Sequence, residues 1–264
     1  MSVIQLSNSI NSVAIEKGEI ISFTSSNVEY IHQKGNPGWR KSDDEMFPVI
    51  GPLDKNNYRL QTKKGDGILD QHGLLRELNY QLTSHSKTEA TFQKKYKAGE
   101  LVRNSKFPEK SSEEFVRWPY DFEFTKRYLL SENQLNIQFT FQSEEGMPFM
   151  LGYHPAFLLM GNEKEILVSG PTQITLQDVY EAGSNAFPVL DTNEILLKNE
   201  GKSNIKISIE NFDNFMLWTE VPNMICIEPI TQYTSYTDQI FSEENMRISS
   251  GKESFGVLIE IMDK

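Results

Sequence analysis

The chain has 264 residues, of which 38% are hydrophobic and 24% charged, so it is long enough to bury a substantial core. Its formal net charge of −11 is spread along the chain, which argues against nucleic acid or an anionic membrane as a partner. Two short basic pairs, Lys63-Lys64 and Lys94-Lys95, are the candidates for a local exception.

The single cysteine, Cys226, excludes an intrachain disulfide and gives no sign of an oxidising compartment. Residues 1–6 lack a basic region followed by a long apolar segment, and no later run approaches the ~18 apolar residues that a membrane span needs. We therefore expect a cytosolic protein.

Alternation of apolar and polar residues predicts short strands along the chain. The alternating apolar residues are Ile21 and Phe23; Val28 and Tyr30; Leu135, Ile137, Phe139 and Phe141; Ile174 and Leu176; and Ile205, Ile207 and Ile209. Apolar runs at 215–218, 224–227 and 255–261 predict the last strands. Because helical periodicity is almost absent, we expect an all-β fold, a large antiparallel β-sandwich with few short helices.

One helical turn is predicted where Ser111 and Glu114 form a potential capping box, and it must end before Pro119. It would be the longest helix of the chain. Residues 47–53 form an apolar stretch punctuated by proline and glycine, which indicates a loop or a sheet edge. No repeat, low-complexity segment or linker marks a boundary, so residues 1–264 are expected to form one domain.

Four histidines are candidates for proton transfer near neutral pH. His154 lies between an apolar run and a proline that restricts the backbone, although a core histidine is the plainer interpretation. His72 precedes Gly73 and is therefore expected on a loop. His32 and His85 have polar neighbours and are predicted to face solvent.

A carboxylate directly follows the apolar strand 224–227. Glu228 would lose hydration there unless it lay at an exposed rim or had a partner. A solvent-facing glutamate and a functional one both fit this position.

Three segments around these residues, Gln71-His72-Gly73, Gly152-Tyr153-His154-Pro155 and Cys226-Ile227-Glu228-Pro229, resemble the aldose 1-epimerase (galactose mutarotase) family, particularly its short bacterial branch. Further segments resemble that family in the same order along the chain. They are residues 36–39, 47–51 and 118–124. The resemblance implies a galactose mutarotase-like supersandwich with an open cleft for a monosaccharide.

By motif match, the resemblance implies that Glu228 is the general base and His154 the general acid. It also implies substrate-binding roles for His72, near the sugar ring oxygen, and for Arg76. Trp218 or Tyr153 could stack on the apolar face of the sugar.

The chemistry implied is interconversion of the α and β anomers. The base takes the proton of the C1 hydroxyl while the acid protonates the ring oxygen, which opens the ring to the aldehyde. Phosphate loops and paired-cysteine motifs are absent, and the expectation is that neither a cofactor nor a metal is required. The expected protein is a monomer or homodimer.

Some residues depart from the family pattern. Pro52 stands where related proteins often have arginine, and the loop reads Gly-Leu-Leu-Arg after His72. The aspartate that contacts sugar hydroxyls in the longer branch has no match by motif, so Asp213 and Asp238 are left unassigned.

Alternatives remain open at this point. One is a non-catalytic carbohydrate-binding protein, and another is a sugar-6-phosphate mutarotase that uses Arg40, Lys41 and Arg76 as a basic pocket. The two histidines and Glu228 are also a ligand set of some zinc hydrolases. A glycosidase fits less well, because it normally needs two carboxylates.

Overall fold

The structure is a computed structural model that describes residues 3–39, 43–162, 164–239, 241 and 245–262. Its strands, in chain order, are β1 (Ile4–Ser7), β2 (Asn11–Glu16), β3 (Glu19–Ser25), β4 (Val28–Glu29), β5 (Asp43–Met46), β6 (Arg59–Thr62), β7 (Gly65–Ile68), β8 (Gln81–His85), β9 (Glu89–Tyr96), β10 (Val102–Arg103), β11 (Phe115–Val116), β12 (Phe122–Ser131), β13 (Gln134–Ser143), β14 (Pro148–Phe149), β15 (Gly152–Leu158), β16 (Ile166–Ser169), β17 (Thr172–Thr175), β18 (Phe187–Val189), β19 (Glu194–Lys198), β20 (Ile205–Glu210), β21 (Asn214–Trp218), β22 (Met224–Ile230), β23 (Arg247–Ile248) and β24 (Lys252–Ile261). The helix α1 covers Leu176–Ala182, and short 3₁₀ turns cover Asp54–Asn56, Leu75–Glu77 and Gly183–Asn185.

Nine antiparallel strands form the larger layer of a sandwich, in the order β17-β16-β19-β20-β24-β13-β12-β9-β8. The clearest predicted strand is confirmed as β13, whose alternating residues Leu135, Ile137, Phe139 and Phe141 are all buried. Polar side chains between them point away from the core, as the period of two requires.

Five strands form the second layer, in the order β18-β21-β22-β15-β5. One face of this sheet packs against the nine-stranded sheet: the ring centroids of Tyr153 on β15 and Phe139 on β13 are 5.1 Å apart. Both rings are fully buried, so the core of the protein lies between the two sheets. The prediction of an antiparallel β-sandwich is confirmed.

Smaller sheets surround these layers. Strands β1 to β4 form a four-stranded antiparallel sheet, which confirms the strands predicted around Phe23 and Val28. Two-stranded pairs are β6 with β7, β10 with β11, and β14 with β23.

The predicted helix position is wrong. Residues 111–114 form no helix, because the hydroxyl of Ser111 accepts hydrogen bonds from the Asn104 amide, at 3.0 Å, and from the Glu113 N–H, at 3.3 Å. The α-helix among the described residues begins at Leu176, which the alternation had placed in a strand. Its capping box is Thr175 with Asp178.

Within the part of the chain that the structure describes, no helix has both the length and the apolar character needed to cross a membrane.

Candidate active site

The candidate site lies on the face of the five-stranded sheet that points away from the core. Antiparallel register places Asp44 on β5 opposite His154 on β15, and Glu228 on β22 opposite Met216 on β21. Since Gly152 pairs with Ile230 and Ala156 with Cys226, His154 lies opposite Glu228. Pairing across three strands thus aligns Asp44, His154 and Glu228 in one row.

The predicted acid and base are in contact. Nε2 of His154 lies 3.3 Å from Oε1 of Glu228, and their side chains are 13% and 2% exposed. Glu228 does not end its strand, because β22 continues to Ile230. The interpretation of Glu228 as a solvent-facing rim residue is therefore wrong, and its carboxyl group is buried beside an imidazole.

Burial controls the protonation of this pair. Desolvation raises the pKa of Glu228 well above its usual value. Desolvation also lowers the pKa of His154 to about 4; the nearby Arg76 charge adds to the lowering and the Asp44 carboxylate opposes it. Both shifts favour uncharged groups, and hence a pair that carries one shared proton.

His72 reaches the same site from a loop, as predicted. Its Nδ1 accepts a hydrogen bond from the Gly51 N–H at 3.1 Å, so the proton of the neutral ring is assigned to Nε2. That Nε2 lies 3.5 Å from the Tyr236 hydroxyl, and the ring centroid is 5.9 Å from that of His154. Burial, together with the Arg76 charge, lowers the pKa of His72 well below its usual value, which keeps the ring a neutral donor.

A left-handed turn presents His72 to the site. His72 and Gly73 have φ of 66° and 75°, and the His72 N–H donates to the Gly51 carbonyl at 3.0 Å. The His72 carbonyl accepts from the Phe47 N–H at 3.1 Å. A Cβ at residue 73 would lie 2.1 Å from the Phe47 carbonyl oxygen, so the close approach requires glycine.

Arg76 lies in the 3₁₀ turn Leu75–Glu77 and faces the same site. Its Nη2 lies 2.7 Å from Oδ2 of Asp44, and the two side chains are 17% and 5% exposed. Sequence reasoning missed Asp44. The site thus contains a buried aspartate in the row of the catalytic candidates, held by an arginine in a charge-assisted hydrogen bond.

Directly behind this pair, a second set of charges is buried between the sheets. Nζ of Lys126 lies 2.6 Å from Oε1 of Glu45, and Nζ of Lys94 lies 3.6 Å from Oε2 of the same carboxylate. Lys94 also donates to the Leu75 carbonyl at 2.9 Å. Burial lowers the pKa of Lys94, and the Glu45 carboxylate opposes that lowering. The Lys94-Lys95 pair is therefore not a surface patch. Lys94 connects the strand of Asp44 to the turn of Arg76.

A cavity of about 470 Å³ opens over the row, which is enough for a monosaccharide. It is lined by Trp39, Asp44, Glu45, Met46, Gln71, His72, Arg76, Lys106, His154, Gly183, Ser184, Ala186, Met216, Trp218, Thr219, Glu220, Glu228 and Tyr236. All five predicted site residues are among these.

Tryptophans form the apolar wall of the cavity. The Trp39 ring stacks on His154 with centroids 5.0 Å apart, and Trp218 meets the same imidazole edge-on at 6.1 Å. Tyr153 does not face the cavity. It is fully buried on the opposite side of β15, so the suggestion that it stacks on a sugar is wrong.

Lys106 is a further cavity residue that sequence reasoning missed. Its ammonium group donates to the Gln71 side-chain oxygen and lies 3.7 Å from Oδ1 of Asp70. Burial lowers the pKa of Lys106 to about 8, and the Asp70 carboxylate opposes the lowering. Among the described lining residues, the cationic side chains are Lys106 and Arg76, and each is paired with a carboxylate.

The remaining candidates lie elsewhere. His85 is exposed as predicted. The prediction that His32 faces solvent is wrong, because the residue is buried. Its backbone N–H donates to the Ala156 carbonyl, and its ring Nε2 lies 3.0 Å from the Pro37 carbonyl. Asp213 and Asp238 are exposed outside the cavity lining, and Asp213 pairs with Arg247 at 2.6 Å. The proposed phosphate-pocket residues Arg40 and Lys41 lie outside the described residues.

Potential metal ligands also meet here. Three ligand atoms, one from each of His154, Cys226 and Glu228, all lie within 4.8 Å of one another. Among the described residues, this cluster contains Cys226 and not His72, so it differs from the two-histidine set considered from sequence.

A family model and two relatives match parts of the chain. The model of the aldose 1-epimerase family matches residues 50–245. The plasmid and chromosomal LacX proteins of Lactococcus lactis subsp. lactis are each 27% identical over 136 residues. That alignment covers 49% of this chain and 41% of each LacX protein, so the chain matches less than half of their length.

Solved structures share the fold over its whole length. A galactose mutarotase related enzyme from Lactobacillus acidophilus superposes with a TM-score of 0.80 at 21% identity, covering 99% of this chain and 98% of the other. A galactose mutarotase-like protein from Lactobacillus casei ATCC 334 gives 0.79 at 17% identity, covering 99% and 100%. The architecture is therefore a galactose mutarotase-like fold.

Proposed function

The chain belongs to the aldose 1-epimerase family, and from that premise we propose that it is a mutarotase that interconverts the α and β anomers of an unphosphorylated aldose. The contact between Nε2 of His154 and Oε1 of Glu228, at 3.3 Å on the floor of a sugar-sized cavity, carries the proposal. A sugar-binding protein has no need of a buried, proton-sharing acid and base.

Proton transfer within the pair prepares it for catalysis. Moving the shared proton from Glu228 to His154 creates a carboxylate next to an imidazolium, which are the base and acid that ring opening needs. Their separation of 3.3 Å leaves no room for a sugar between them. The sugar must therefore lie over the pair, on the cavity side, with O1 toward Glu228 and the ring oxygen toward His154.

The two side chains supply and accept every proton that ring opening requires. The Glu228 carboxylate takes the proton of the C1 hydroxyl, the C1–O5 bond breaks as the C1=O1 bond forms, and His154 gives its proton to O5. After rotation about C1–C2, the two groups reverse these transfers on the other face of the carbonyl. The pair returns to its starting state with one proton, so no co-reactant is consumed.

Neighbouring side chains hold the sugar in this orientation. His72 remains neutral and offers its Nε2–H to the ring oxygen region. Asp44 and Arg76 offer an acceptor and donors to ring hydroxyls, and Trp218 gives an apolar wall.

Charge balance favours an unphosphorylated substrate. The cations Arg76 and Lys106 already have carboxylate partners at 2.7 Å and 3.7 Å, and Glu220 also lines the cavity. A phosphate group would meet no unpaired cation among these residues.

The test is an anomerisation assay on freshly dissolved α-glucose and α-galactose and on aldose 6-phosphates, followed by polarimetry or NMR. Wild type should exceed the buffer rate on at least one free sugar. Glu228→Gln and His154→Ala should each lower turnover by about 10² to 10⁴-fold. Asp213→Asn and His85→Ala, both exposed outside the cavity, are the matched controls and should keep wild-type turnover.

Two results would redirect the proposal. Binding of a sugar without faster anomer exchange would mean a carbohydrate-binding protein. Turnover confined to 6-phosphates would identify a sugar-6-phosphate mutarotase.

A further inference from the structure

Cys226 lies immediately beside the proposed catalytic pair but takes no part in the proposed reaction. It precedes Glu228 by two residues on β22, so both side chains point to the same face of the sheet. Its cross-strand partner is Ala156, whose small side chain leaves the thiol close to His154, two residues earlier on β15. The thiol is fully buried beneath Trp39 and Trp218.

These three residues offer nitrogen, sulfur and oxygen ligand atoms within 4.8 Å of one another. Tetrahedral zinc, with bonds of about 2.0 to 2.3 Å, needs ligand atoms roughly 3.3 to 3.8 Å apart. The 3.3 Å between His154 and Glu228 already has this length. Rotations of the Cys226 and Glu228 side chains that shorten the longest separation by about 1 Å would complete three corners.

The geometry points to an inhibitory site for a thiophilic divalent cation, Zn²⁺ or Cd²⁺, formed by His154, Cys226 and Glu228. The fourth corner faces the cavity and stays open to water. Hard cations such as Mg²⁺ and Ca²⁺ are excluded, because they require six or more oxygen ligands.

Binding the cation displaces protons. The thiol proton of Cys226 and the proton shared by His154 and Glu228 leave, which gives thiolate, neutral imidazole and carboxylate as ligands. The cation then occupies the position through which the shared proton must move. A mutarotase that needs no metal for its chemistry would thus be inhibited by metal, in competition with the sugar.

The binding part of this proposal does not depend on the proposed activity, and its test is therefore spectroscopic. Tag-free protein is titrated with CdCl₂ while the near-ultraviolet absorbance of the cadmium–thiolate bond is recorded, and bound metal is counted by elemental analysis. Cys226 is the single cysteine of the chain, so the absorbance has one possible source. Wild type should bind one Cd²⁺ per chain, and Cys226→Ala should lose the band.

Two variants that keep the thiol make the test independent of how well Cys226→Ala folds. His154→Ala and Glu228→Gln should each weaken Cd²⁺ binding by roughly 10-fold or more, because each removes one ligand. His85→Ala should bind as wild type does. A missing band in wild type would overturn the proposal, and so would His154→Ala and Glu228→Gln binding Cd²⁺ as tightly as wild type does.

The second arm uses turnover. If wild type anomerises sugars, Zn²⁺ should inhibit it, and Cys226→Ala should tolerate at least about 10-fold more Zn²⁺. Equal inhibition of both proteins would refute the inhibitory role. A wild type without turnover would refute the proposed function alone, since the cadmium titration still decides the metal site.

Discussion

His154 and Glu228 are direct neighbours across two antiparallel strands, with Nε2 of one 3.3 Å from Oε1 of the other. The sheet fixes this relationship, since any shift of β15 by one residue would turn His154 into the core. Their separation in sequence is large, but the strand pairing makes the contact as rigid as the sheet itself. A proton can therefore be shared without either side chain being reoriented.

Burial of Glu228 should make the protein less stable as the pH rises. Because its folded pKa is raised above the usual 4.5, its contribution to stability is full below pH 4.5 and is lost as the pH rises through the folded pKa. The amide of Glu228→Gln does not ionise, so it has no such pH dependence. The variant should match wild type near pH 4 and become more stable than it toward pH 8, by at most about 1.4 kcal/mol per pH unit. Urea unfolding at both pH values measures this.

His154→Gln provides the comparison of opposite sign. Since the folded pKa of His154 is lowered to about 4, its contribution is present above pH 6.5 and is lost as the pH falls through about 4. This variant should gain on wild type in acid instead. If both variants showed the same pH trend, the assignment of the two shifts would be wrong.

The candidate site could be predicted from sequence only in part. His154, Glu228, His72 and Arg76 were found because short motifs around them resemble a family. Asp44 was missed because β5 is four residues long and has no apolar alternation to reveal it. Its place beside His154 depends on a strand pairing that no local pattern encodes.

Lys126 gave a signal that was overlooked. It occupies the inward position between Phe124 and Tyr128 in the alternation of β12, where an apolar residue is expected. A lysine in that phase must either disrupt the strand or find a buried carboxylate.

The fold class was predictable for a simpler reason, since many short alternating segments can be buried only by stacking sheets. The helix was misplaced because Ile174 and Leu176 fit both a strand and the start of a helix.

Asp44 should control which charge the cavity accepts. Asp44→Asn leaves the Arg76 guanidinium without its 2.7 Å carboxylate partner, so it becomes available to an anion. We expect the KM for a free aldose to rise by roughly 10-fold, and 6-phosphates to bind more tightly than they do to wild type. Steady-state anomerisation and inhibition by a 6-phosphate measure the two effects.

Asp213→Asn is the matched control, because it breaks an aspartate–arginine pair of 2.6 Å that lies on the exposed surface. It should change neither KM nor phosphate binding. If Asp44→Asn behaved in the same way, the pair at Arg76 would have no part in substrate selection.

Lys126 should be essential to stability rather than to chemistry. Its side chain is 0% exposed and lies 2.6 Å from Glu45, which is 1% exposed. Lys126→Met removes the closest partner of a buried carboxylate, which costs about 3–5 kcal/mol when no other charge compensates; Lys94 at 3.6 Å should reduce the loss to roughly 2–4 kcal/mol. Chemical denaturation measures it.

Lys95→Met serves as the comparison. Lys95 also lies 2.6 Å from a carboxylate, that of Glu123, but its side chain is 64% exposed. The change should stay within about 1 kcal/mol, since exposed ion pairs contribute little. Equal losses in the two variants would show that burial is not what makes the Lys126 pair important.

Gly73→Ala should damage the loop that presents His72. The new methyl group would lie 2.1 Å from the Phe47 carbonyl oxygen, and φ of +75° adds backbone strain of about 1–2 kcal/mol. Gly99→Ala isolates the strain, because Gly99 has φ of +78° with nothing within 4 Å of the added atom. Gly73→Ala should therefore unfold at lower denaturant than Gly99→Ala and should also lose turnover, whereas Gly99→Ala keeps it. Equal stability of the two variants would mean that the loop moves away from Phe47 at little cost, and His72 would not need the tight turn.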